Sequence, residues 1–73
     1  MLKSICSKEY KNIILKIRQA RFDVGLKQKD VALRLKKPQS YISKIEKGER
    51  RIDIIELKEL AKIYKKDVIF FIK

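Results

Sequence analysis

Apolar residues recur along this chain at steps of three and four. The first run is Tyr10, Ile13, Ile14, Ile17 and Val24, with Arg21 on the same stripe. That period predicts a helix with one apolar face, capped by Ser7 and stopped by Gly25. A second set, Leu26, Val31, Ala32 and Leu35, predicts a helix of about two turns from Gln28 to Leu35. Lys36 and Lys37 make a tight connection. Pro38 then starts a third helix, where its missing N–H costs nothing. That helix turns Ile42 and Ile45 inward and ends by Gly48. Asp53 opens a fourth helix, and Glu56 three residues on completes a capping box. Leu57, Leu60, Ala61 and Tyr64 form its inner stripe. In the tail, Asp67 can cap a last turn with Val68, Phe71 and Ile72 facing inward. Its Val, Ile and Phe content also suits a strand, and a short helix is the expectation. The pattern predicts an all-α fold: a compact four- to five-helix bundle with a short apolar C-terminal helix or strand, forming a single domain over residues 1–73.

Composition narrows the function. The chain has 73 residues, 45% of them hydrophobic, enough for an economical core. It lacks an apolar run near ~20 residues, so no membrane span is expected. Met1 to Ser7 has no signal-peptide core. The one cysteine, Cys6, cannot form an internal disulfide and reads as an unremarkable thiol in a reducing, cytoplasmic setting. With no histidine and one cysteine there is no metal site of the zinc type and no His-based acid–base pair. An enzyme is therefore a poor expectation, and no cofactor is expected.

Charge points to a polyanion. The net charge is +11, and its distribution is uneven. Residues 1–52 carry fifteen basic and five acidic side chains, whereas residues 53–73 carry five and four. The stretch from Lys36 to Arg51 has six basic residues (Lys36, Lys37, Lys44, Lys47, Arg50, Arg51) against Glu46 and Glu49. A field of this kind attracts nucleic acid first. Two short helices joined by a tight turn suggest a helix-turn-helix, whose second helix enters the major groove. With Ile42 and Ile45 inward, Gln39, Ser40, Ser43 and Lys44 fall on the outer face. Gln can bond adenine N6 and N7 together, Ser donates or accepts, and Lys reaches guanine O6 or N7. Lys44, Lys47, Arg50 and Arg51 lie in or just after that helix, placed to neutralise phosphates.

The stretch GLKQKDVALRLKKPQSYISKIEKGERR resembles the Cro/phage-repressor (XRE-type) helix-turn-helix family. The matching residues are Gln28 opening the first motif helix, Ala32 at the helix crossing, and the Gln39–Ser40 pair opening the recognition helix. Ile42 and the Ser-x-Ile-Glu-x-Gly run from Ser43 to Gly48 complete the match. The resemblance spans roughly Ile13 to Tyr64 and implies a lambda-repressor-like bundle that binds double-stranded DNA. Residue by residue it implies base contacts for Gln39, Ser40, Ser43 and Lys44. It implies a phosphate contact for Gln28, which also braces Gln39, and phosphate contacts for Arg50 and Arg51. It pairs Glu46 with Arg21. Lys36 stands where the family often has glycine, which requires a left-handed backbone or a shifted turn.

Several positions have rival readings. Ser40 and Ser43 can be ordinary helix-surface residues, and Arg50 and Arg51 a solvated charge pair. DNA contact is the expectation for all four, and phosphate contact the expectation for Tyr41. Gln28 can be an ordinary first-turn surface residue, and Tyr41 can touch phosphate through its hydroxyl or lie over the second helix. The expected protein is a transcriptional regulator, a repressor, binding a palindromic operator as a homodimer. The rival is an antitoxin or adaptor whose scaffold binds a protein partner such as a toxin; it would carry aromatic or aliphatic anchors on the recognition face. The tail, Val68 to Ile72, is either core or dimer contact.

Overall fold

The computed structural model describes residues 7–73; Cys6 lies outside them. Five helices follow one another: α1 (Lys8–Asp23), α2 (Gln28–Leu35), α3 (Gln39–Glu46), α4 (Ile54–Tyr64) and α5 (Ile69–Ile72). Three of the four long helices start on a local polar signal, and α3 follows a proline. Ser7 accepts from the Tyr10 N–H at 3.1 Å. The Lys27 N–H is taken by Asp30 at 2.9 Å. At α4 the capping box is complete: Asp53 accepts from the Glu56 N–H at 2.8 Å, and Glu56 accepts from the Asp53 N–H at 3.0 Å. Pro38 is the residue before α3 rather than its first helical residue, with φ −69° and ψ 155°. Its missing donor is one the helix end would have left unpaired in either position.

The four long helices end alike. After each, one N–H reaches back five residues and its neighbour three: Leu26 to Arg21, Lys37 to Ala32, Glu49 to Lys44, Lys66 to Ala61. That geometry needs one residue with positive φ. Gly25 (72°) and Gly48 (77°) supply it at α1 and α3, but Lys36 (57°) and Lys65 (58°) supply it at α2 and α4. The turn before the recognition helix is therefore built on a left-handed lysine.

The core joins all five helices. Ile17 and Ala20 of α1, Val31 and Ala32 of α2, Ile42 and Ile45 of α3, Leu57, Leu60, Ala61 and Tyr64 of α4, and Phe71 of α5 form one buried cluster. Ala32 is small enough to let α2 and α3 cross closely. The tail is helical and packs on α1. Only part of its expected inner face is buried: Phe71 is buried and Val68 half-buried, but Ile72 is 55% exposed. In a single turn, Ile72 lies about 100° around the axis from Phe71, outside the narrow sector that faces the core.

Candidate nucleic-acid interface

α3 has two chemically opposite sides. Ile42 and Ile45 are buried at 1% and 0% exposure. Gln39, Ser40 and Lys44 are exposed and Ser43 half-buried on the other side. The helix is thus held by its apolar stripe while short amides, hydroxyls and one ammonium face outward. Lys47 and Arg51 are exposed just beyond it.

Behind this face lies a buried ion pair. Arg21 Nε donates to Glu46 Oε2 at 2.7 Å and Nη2 donates to Oε1 at 2.9 Å, while Nη1 donates to the Leu26 carbonyl at 3.0 Å. Both residues are 7% exposed. The Glu46 hydrogen bond holds the Arg21 guanidinium even more firmly protonated than usual, against the opposing effect of burial. Arg18 approaches the same carboxylate at 3.8 Å.

The pair is connected to the outer face through amides. Gln28 Nε2 donates to Glu46 Oε1 at 3.0 Å, and Gln39 Nε2 lies 3.5 Å from Gln28 Oε1. An ionised carboxylate only accepts, so Gln28 must turn its NH2 toward Glu46 and its oxygen toward Gln39. Gln39 then uses one N–H on Gln28. Its second N–H and its carbonyl oxygen remain, the donor–acceptor pair that fits adenine N7 and N6. Gln28 is half-buried and bonded on both sides rather than a free surface residue.

Tyr41 and Arg50 are engaged within the molecule. Tyr41 is 9% exposed and its ring meets two cations, Arg50 at 4.5 Å and Lys37 at 5.3 Å from the centroid. Burial first, and then a hydrogen bond to Glu56, push its hydroxyl up to about 12. Arg50 makes a forked pair with Glu56 at 3.2 and 3.1 Å and donates to the Arg51 carbonyl at 3.0 Å. The fork holds the Glu56 carboxyl below its usual range. From α1, the Tyr10 hydroxyl accepts from the Ile52 N–H at 2.9 Å and reaches the Arg50 carbonyl at 3.4 Å. Glu56 and Tyr10 were not among the sequence candidates. The capping box accounts for Glu56 at short range, and nothing periodic links Tyr10 to a loop forty residues away.

A short helix seated on a second, with its polar side outward in a strongly basic field, defines a helix-turn-helix DNA-binding domain. The chain matches the Helix-turn-helix family over residues 17–71 and belongs to it, as a member of the Cro/phage-repressor (XRE) type. No curated protein and no solved structure matches it. The family binds DNA and regulates transcription, and that general role holds for this chain. Among the described residues, no helix is long and apolar enough to cross a membrane.

Proposed function

We propose that this domain is a cytoplasmic repressor that reads a palindromic operator through the major groove as a homodimer. The observation that carries the reading is the split of α3: Ile42 and Ile45 wholly buried, Gln39, Ser40 and Lys44 exposed. Gln39, Ser40, Ser43 and Lys44 contact bases, and Gln28, Lys47 and Arg51 contact phosphate. Counterion release from the phosphates supplies most of the affinity. One domain covers about half an operator, so two-fold symmetry in the protein calls for a palindrome in the DNA. Ile69 and Ile72, each 55% exposed, are apolar surface that a second copy can cover.

Selection of bound sites from random duplexes tests this directly: a palindromic consensus with adenine at the Gln39 position is expected. Gln39→Ala is expected to cost ~1–3 kcal/mol on that site and almost nothing on random DNA. Equal losses on both would remove Gln39 from the base readers.

A further inference from the structure

We propose that Glu56, an acidic residue at the edge of a DNA-binding surface, strengthens DNA binding by positioning the loop after the recognition helix. On this inference Arg50 acts through the loop rather than as a phosphate ligand. The inference rests on the DNA-binding reading above.

The loop runs from Lys47 to Asp53 and carries Lys47 and Arg51. Three sets of bonds fix it. Its start is set by the Glu49 and Arg50 N–H groups on the Lys44 carbonyl, at 2.9 and 3.2 Å. Its end is set by the Tyr10 hydroxyl on Ile52 and by Glu56 on the Asp53 N–H. Its middle is set by Arg50. Three of the five guanidinium N–H groups are spent inside the protein, two on Glu56 and one on the Arg51 carbonyl. Its guanidinium carbon sits over the ring of Tyr41, which belongs to α3 itself. Glu56 therefore ties α4, the loop and the recognition helix together through one carboxylate. A planar fork fixes direction as well as charge, so the Arg51 carbonyl and the peptide beside it are held in one orientation. An arginine committed in this way has little left for a phosphate. A loop already in its bound shape loses less entropy on DNA.

The inference makes a prediction of unusual sign. Glu56→Gln removes a negative charge from a protein that binds a polyanion. Simple electrostatics gives tighter binding; a positioning role gives weaker binding. Gln keeps an acceptor oxygen for the Asp53 N–H, so α4 retains its cap.

The experiment is a salt titration of binding to the selected operator and to a random duplex. It compares wild type, Glu56→Gln, Arg50→Lys, Arg50→Ala and Lys47→Ala, alongside amide hydrogen exchange of the free proteins. Glu56→Gln and Arg50→Lys are expected to weaken binding by roughly threefold to tenfold, the loss of about one charge-assisted fork. Arg50→Lys should fail to rescue, since it keeps the charge and loses the fork. The slope of log affinity against log salt should be unchanged in Glu56→Gln, Arg50→Lys and Arg50→Ala, and lowered by about 0.9 per bound monomer in Lys47→Ala. In free Glu56→Gln, Arg50→Lys and Arg50→Ala the Ile52 amide should exchange faster. Tighter binding by Glu56→Gln would overturn the inference. So would wild-type affinity in Arg50→Lys together with a slope loss in Arg50→Ala, which would make Arg50 a phosphate ligand. Unchanged exchange at Ile52 in these three variants would overturn it without any DNA present. Failure of the wild type to bind either duplex would instead remove the DNA-binding reading, a separate result read from a separate arm.

Discussion

Tyr64 is 0% exposed, and its hydroxyl finds no hydrogen-bond partner among the described residues. The ring fills the core between α1 and α4, so the residue is needed for its volume and not for its oxygen. A buried hydroxyl left unpaired costs about 1–3 kcal/mol in desolvation. Tyr64→Phe keeps the ring and is expected to raise stability by about 1 kcal/mol in a urea titration. A loss of stability would mean the hydroxyl is satisfied. Glu46 is the opposite case. It is buried and fully paired, and Glu46→Ala leaves the Arg21 charge without its carboxylate. Loss of about 3–5 kcal/mol is expected, enough to threaten a domain of this size. Thermal melting checks it, and an unchanged midpoint would place the pair in solvent.

At the scale of elements, the helix ends are more uniform than the residues that build them. Four ends share one geometry, and the chain's only two glycines serve two of them. A side chain in the left-handed region costs about 1–2 kcal/mol relative to glycine. Lys36→Gly should therefore stabilise the fold, by about 0.5–1 kcal/mol after the greater freedom of glycine in the unfolded chain is subtracted. Chemical denaturation of this variant against Lys65→Gly checks it, and both should move the same way. Helix boundaries were legible in the sequence because caps are local: Ser7, the Asp53–Glu56 box and Gly25 each act within one turn. The left-handed turn was legible only as a choice between Lys36 at positive φ and a shifted turn. Ile72 was misread because a one-turn helix has no repeat from which its inner face can be taken.

Over the whole molecule, local patterns gave the bundle and long-range chemistry completed the interface. The outer face of α3 was readable because burial of Ile42 and Ile45 determines what is left outside. The Arg21–Glu46 spacing was readable only through resemblance to a family, since the two side chains meet across helices. The Tyr10, Tyr41, Arg50 and Glu56 cluster was not readable at all. It joins α1, α3, a loop and α4, and each residue already had a sufficient local explanation. The ion pair between Lys66 and Asp23 at 3.3 Å, which ties the end of α4 to the end of α1, belongs with it.

The burial of two tyrosines also sets an alkaline limit and provides an optical signal for it. The chain has no tryptophan, so its near-ultraviolet spectrum is dominated by tyrosine. Tyr41 is pushed up to about 12, by burial and then by Glu56. Tyr64 is pushed further, by burial and then by the charge of Glu46. A phenol whose folded pKa is raised stabilises the fold fully below its unfolded value of about 10, and that stability drains away as pH rises through the folded value. Tyrosinate absorbance from these two rings should therefore not rise as a smooth titration above pH ~10. It should appear in one cooperative step, together with the loss of helical circular dichroism, because the rings must leave the core before they ionise. Tyr64→Phe should move that step to higher pH. A gradual tyrosinate rise with the helices intact would mean that solvent reaches the two phenols in the folded protein.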